Sequence, residues 1–168
     1  MARLKLIPDS AVFACVRQLL AAGGDRAVAF ASVARATGLA APTLVQRFGG
    51  RDAMVERALL AGWEALESAT AEVCAQAPMN AKGAHAMLKA LGTPEAALLA
   101  GMVSTSALRQ RAKAWRAQVE AALAQRLDSA APDQAAAMLF AVWQGQVLWN
   151  SAGGKGFRLK DALRALSG

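Results

Sequence analysis

The chain is 168 residues long, with 55% apolar residues, 18% charged residues and a mean hydropathy of +0.27; this excludes a disordered chain, which needs low hydrophobicity and high charge. The length suits one domain, or a small module fused to a modest second one, and can bury a core without disulfides or metals. Nineteen Lys and Arg against twelve Asp and Glu give a net charge of +7, which points to a polyanionic partner but is silent on fold.

Alanine dominates and tyrosine is absent. Alanine is the best helix former and a poor strand former, so the expected fold class is all-α. The first helix is expected over about Asp9 to Ala22, stopped by Gly23-Gly24, with Val12, Val16, Leu19 and Leu20 inward. Asp9 and Arg17 interrupt the apolar stretch from Met1 to Ala22, which argues against a secretory signal. Two short helices follow, about Phe30 to Thr37, ended by Gly38, and Pro42 to Phe48, ended by Gly49-Gly50. A long fourth helix runs from Arg51 to about Ala75, with an inward stripe of Val55, Leu59, Gly62, Leu66, Ala69 and Val73.

Beyond Pro78, helices are expected over about Ala81 to Leu91, from Thr93-Pro94 to Ser104, and over Ala107 to Asp128. Pro132 opens a helix to about Asn150, and Leu159 to Leu166 forms a last short one. The window Gln134 to Gly154 carries no charge, yet Gln144, Gln146 and Asn150 lie where lipid leaves amides unsatisfied, so it reads as a core or interface helix. Cys15 and Cys74 form no disulfide framework and read as reduced packing residues of a cytoplasmic protein.

The informative stretch is Ala29 to Met54. Helix, tight turn at Gly38-Leu39-Ala40 and second short helix make a helix-turn-helix; Gly38 takes the positive φ of the turn, and Val33, Ala34, Leu39 and Leu44 bury the crossing. The second helix then presents Thr43, Gln46 and Arg47, side chains suited to base edges and phosphates in a major groove.

These residues resemble the TetR/AcrR transcriptional regulators. The resemblance rests on Val33-Ala34-Arg35-Ala36-Thr37-Gly38-Leu39, Pro42-Thr43-Leu44-Val45-Gln46-Arg47-Phe48 and Gly49-Gly50-Arg51-Asp52-Ala53-Met54, with Val12-Phe13, Val16, Leu19-Leu20 and Gly23 in the first helix. It implies a three-helix DNA-binding domain over residues 1–50 and an effector-binding and dimerisation domain over residues 51–168. The chain departs from the family pattern at Ala40 for a serine, Val45 for a phosphate-touching tyrosine and Ala29 for a capping threonine. Contact with double-stranded DNA is therefore expected from Thr43, Gln46, Arg47 and Arg51, with Arg3 and Lys5 adding electrostatic affinity. The first 60 residues hold eight basic and four acidic residues.

The resemblance also implies a homodimer and a small apolar effector. Candidate effector residues are His85, Met87, Met102, Trp115, Phe140 and Trp143, an apolar set with one polar anchor; Met and Trp at helical spacing are also ordinary core. Ala137, Ala141 and Gly145, with Trp149, form a small-residue stripe suited to close helix approach, across a dimer or within one subunit. No catalytic pattern, cofactor motif or metal-ligand spacing stands out: His85 is the sole histidine, and Gly153-Gly154-Lys155-Gly156 lacks the spacing of a phosphate loop. The expected protein is a DNA-binding repressor released by an apolar effector. The rivals are a related helical binding protein with weakened DNA contact and a small helical enzyme.

Overall fold

The computed structural model describes residues 7–153, 156 and 158–166. Arg3 and Lys5 lie outside the described residues. The helices are α1 (Asp9–Gly23), α2 (Phe30–Thr37), α3 (Ala41–Phe48), α4 (Arg51–Gln76), α5 (Ala81–Leu91), α6 (Ala96–Gly101), α7 (Ser106–Ala124), α8 (Pro132–Trp149) and α9 (Leu159–Leu166). Single 3-10 turns occupy Asp25–Ala27 and Asn150–Ala152. Among the described residues there is no strand, and no helix is long and apolar enough to cross a membrane.

Two compact units divide the chain. The first holds the residues up to Leu66 together with Pro94–Ala112; the second holds Glu67–Thr93 and the residues from Lys113 on. This division differs from a cut at residue 50, because the start of α4, all of α6 and the start of α7 pack with the N-terminal helices.

In the first unit the core is Val12, Val16, Val28, Val33, Leu44, Phe48, Met54 and Ala58. The inward face of α4 is rotated from the expected stripe: Met54, Ala58, Leu59, Gly62 and Trp63 are buried, whereas Val55 and Leu66 are half-buried. Leu59 and Gly62 lie inward as expected, and the approach at Gly62 is close, since a Cβ there would lie 2.7 Å from Leu98 and 2.8 Å from the Arg17 side chain. Arg17 in turn donates from Nε to Glu95 Oε2 at 2.9 Å and from Nη1 to the Ala58 carbonyl at 3.2 Å. With Glu95 so engaged and Pro94 buried, α6 starts at Ala96 rather than at Thr93-Pro94. It stops at Gly101, whose carbonyl accepts from Ser104 Oγ at 2.7 Å.

The second unit buries Met87, Leu88, Trp115, Val119, Leu123, Leu139, Phe140 and Trp143, with Leu163 from α9. The Asn80 side chain caps α5 by accepting from the Gly83 N–H at 3.0 Å. Arg126 is buried and donates to the carbonyls of Cys74 (2.6 Å), Ala77 (3.0 Å), Pro78 (3.1 Å) and Ala122 (2.7 Å). A cation at the end of α4 thus satisfies carbonyls that the helix itself leaves unpaired.

Candidate nucleic-acid interface

The α2–α3 pair is a helix-turn-helix built by local chemistry. Gly38 sits at φ 77°, ψ 8°, the left-handed conformation that ends α2, and its N–H donates to the Ala34 carbonyl at 2.8 Å. Val33 and Leu44 are fully buried in the crossing, while Ala34 and Leu39 pack against it. Ala29 has no side chain to cap α2, but Ser32 Oγ accepts from the Ala29 N–H at 2.9 Å and donates to the Ala27 carbonyl at 2.8 Å. That is the reciprocal half of a capping box, and it offsets the cap expected to be missing at Ala29. Ala40 provides no side-chain cap for α3.

On α3, Gln46 is exposed and Thr43 half-buried; Pro42 and Val45, the latter 44% exposed, share the outward surface. Arg47 is drawn inward: its Nη1 donates to the Ile7 carbonyl at 2.8 Å and lies 3.5 Å from Asp9 Oδ1. Arg57 sits over the rings of Phe48 (5.2 Å) and Phe13 (5.8 Å) and 3.7 Å from Asp9 Oδ2, clasping the end of α3 to α1.

Arg51, expected at a phosphate, instead anchors the 3-10 turn before α2. Its Nε donates to the Val28 carbonyl at 2.8 Å, and its Nη2 to the Asp25 carbonyl at 2.6 Å. It also pairs with the carboxylates of Asp25 at 2.6 Å and Asp52 at 2.7 Å. These hydrogen bonds, Asp25 first and Asp52 second, hold its pKa above the ordinary guanidinium value. Sequence reasoning passed over Arg35: it is exposed on α2, beside the turn, and no ion-pair or hydrogen-bond partner among the described residues engages it. The outward set is therefore Thr43, Val45, Gln46 and Arg35, with Arg47 and Arg51 holding the scaffold.

The expected effector residues fall into three places. Trp115, Phe140 and Trp143 form a packed trio with ring centroids 5.8–6.4 Å apart, and Trp115 Nε1 donates to the buried Thr70 Oγ1 at 2.9 Å. Met87 is fully buried beside Cys74, with Sγ and Sδ 3.5 Å apart. His85 and Trp143 meet at a hollow of about 320 Å³ in the second unit, shared with Leu88, Gln146, Val147 and Leu159. Met102 lies in the first unit, partly exposed. A larger cavity, about 790 Å³, lies wholly within the first unit among residues of α1, α4, α6 and α7, none of which was expected at the effector site. Among the described residues no group of three or more His, Cys, Asp or Glu side chains is placed to hold a metal ion.

On α8, Met138, Ala141, Leu148 and Trp149 are exposed, and Ala137 and Gly145 half-buried, forming one apolar stripe along the helix. A Cβ at Gly145 would meet nothing within 4 Å, so that glycine is not required by packing inside the chain.

No family model matches the sequence, and no protein of curated function matches it. Solved structures do match the fold. A transcriptional regulator from Rhodococcus sp. Rha1 superposes with a TM-score of 0.74 at 18% identity, covering 95% of this chain and 94% of its own. The multidrug binding protein EbrR, complexed with imidazole, gives 0.65 at 20% identity, covering 96% and 94%. The TetR family transcriptional regulator PfmR from Thermus thermophilus gives 0.62 at 18% identity, covering 92% and 93%. The chain has the fold of the TetR-family transcriptional regulators over nearly its whole length.

Proposed function

We propose that this chain is a sequence-specific DNA-binding transcriptional regulator that works as a homodimer and represses until a small molecule binds. The observation that carries the reading is the α2–Gly38–α3 helix-turn-helix, with Gln46 and Thr43 on the open face of α3 and Arg35 beside the turn. A recognition helix reads bases through such amides and hydroxyls, while the preceding helix meets the backbone. Arg47 and Arg51 act here by holding α3 and the α2 approach in position; Arg3 and Lys5 add basic charge.

Two-fold operators need two heads, and the α8 stripe is the proposed dimer surface. Leu148 is 67% and Trp149 60% exposed, and apolar side chains grouped this way mark a partner surface. Ala137, Ala141 and Gly145 let a partner helix come close. The effector would bias the dimer toward an arrangement whose heads no longer match the half-site spacing; about hundredfold release needs a coupling near 3 kcal/mol.

A second reading, a helical binding protein with weak DNA contact, draws on the inward Arg47 and Arg51. A mobility-shift titration against the upstream region of the chain's own gene separates the two. The regulator reading expects a shift that survives a large excess of random duplex; equal affinity for every duplex, or none, favours the other.

A further inference from the structure

The cavity of about 790 Å³ in the first unit is large enough for a drug-sized molecule. Its walls are aliphatic: Leu20 at the end of α1, Val55 and Leu59 on α4, Ala97 and Ala100 on α6, and Leu108 on α7. No aromatic ring lines it among the described residues. Small side chains on α6 create the space.

The polar side of the cavity is acidic. Asp25, Asp52 and Glu56 face one cation, Arg51. That guanidinium is already committed, pairing with Asp25 at 2.6 Å and Asp52 at 2.7 Å and donating to two backbone carbonyls. The remaining polar groups are occupied too: Ser104 Oγ donates to the Gly101 carbonyl, and Thr105 Oγ1 accepts from the Leu108 N–H. Glu56 is half-buried one turn beyond Asp52 on the same face of α4, and no cation among the described residues pairs with it. An anion entering here would meet the carboxylate of Glu56 and an arginine already neutralised by Asp25 and Asp52. A neutral molecule would cover Glu56 and leave its charge uncompensated, which is costly beside apolar walls. A cation with an aliphatic body satisfies both sides of the cavity.

We propose that this cavity is the effector site and that it takes an amphiphilic organic cation, with the ammonium centre at Glu56 and the alkyl body against Leu59, Ala97 and Leu108. The sequence alone points to an uncharged effector among the aromatic residues of the second half. The cavity revises both its place and its charge. The regulatory role rests on the DNA-binding reading above. Its physical basis is that Arg51 and Asp25, which line the cavity, also hold the turn that leads into α2. An occupant competing for Asp25 or Asp52 therefore acts on the anchor of the DNA-reading helices.

The test is calorimetry of the full chain with three probes of equal chain length: octyltrimethylammonium, octan-1-ol and octanoate. The net charge of +7 makes unspecific attraction favour octanoate, so preference for the cation reports the local acidic wall. The cation should bind tightest. Glu56→Gln should weaken it about tenfold, the size expected for losing one partly desolvated charge pair, while octan-1-ol, which no longer covers an uncompensated charge, should bind more tightly than before. Ala100→Phe should fill the cavity and abolish binding of all three, with thermal melts showing that each variant folds. No preference for the cation, or a preference that survives both substitutions, overturns the proposal. Adding the cation to a protein–DNA complex should release the DNA. Binding that depends on Glu56 in a protein that recognises no duplex upholds the site and removes the regulator reading. Specific DNA binding with no uptake of the cation does the reverse.

Discussion

Arg47, on the helix proposed to read DNA, donates a 2.8 Å hydrogen bond to the carbonyl of Ile7, ahead of the first helix. The bond spans forty residues and ties α3 to the chain that enters α1, where Asp9 lies 3.5 Å from the same guanidinium nitrogen. Arg47 therefore has a scaffold role that an outward-facing base reader would not have. Arg47→Ala should cost about 1 kcal/mol of stability, the usual worth of a part-exposed hydrogen bond. It should lower DNA affinity without changing the preferred sequence. Urea unfolding and binding to a panel of duplexes check both; a changed preference with intact stability would make Arg47 a base reader.

Arg126 should matter more. It is 5% exposed and serves four backbone carbonyls in the second unit. Arg126→Met keeps most of the volume but removes this donor from all four carbonyls, of which Pro78 keeps the Asn80 N–H at 3.0 Å, so a loss of about 3 kcal/mol is expected in denaturant unfolding. Arg126→Lys should recover only part, because an ammonium cannot span the same fork of acceptors.

Gly145→Leu separates assembly from folding. A Cβ built at this position meets nothing within 4 Å among the described residues, and leucine favours helix over glycine by about 0.8 kcal/mol. The variant should fold at least as stably per chain yet sediment as a monomer. A variant that stays dimeric in analytical ultracentrifugation would remove α8 as the interface.

Burial pushes the thiols of Cys15 and Cys74 up from their ordinary value; for Cys74 the charge of Arg126 opposes this and is the smaller effect. Both thiols should stay protonated at neutral pH and react slowly with iodoacetamide until the chain is unfolded. Because folding raises these values, the protonated thiols leave stability whole below the unfolded thiol value. Stability then falls as pH rises from about 8.5 through the folded values. The urea midpoint should decline over that window, and less steeply after Cys15→Ala and Cys74→Ala.

The parts of the fold legible in the sequence were those set by local chemistry. α2, α5 and α9 begin and end where caps, glycines and apolar spacing put them, and Gly38 takes the left-handed turn that its place between two short helices demands. What escaped depends on contacts distant in sequence. On α4, Leu59 and Gly62 lie inward as their spacing suggests, but Met54, Ala58 and Trp63 are buried more deeply than Leu66 and than Val55, which packs at the edge of the core. Arg47 and Arg51 read as free cations until Ile7, Val28 and Asp25 are placed beside them. The large cavity was invisible for a different reason. Ala96, Ala97, Ala100 and Gly101 look like ordinary residues of an alanine-rich helix, and only the packed structure shows that their small side chains leave space. The aromatic residues drew attention as pocket lining, yet Trp115 and Phe140 are packed against Trp143.

The central claim is that α3 reads DNA sequence through Gln46, and the most direct test is selection from a random duplex library with the wild-type chain and Gln46→Ala in parallel. The account predicts an enriched, roughly palindromic site whose half-sites lie about one helical turn, or a multiple of it, apart. Gln46→Ala should change the preferred base within each half-site. Arg35→Ala should instead weaken binding to all sequences and reduce the salt slope by about one for each phosphate left without its cation. No enriched sequence from the wild-type chain, or an enriched site that Gln46→Ala leaves unchanged, would contradict the account.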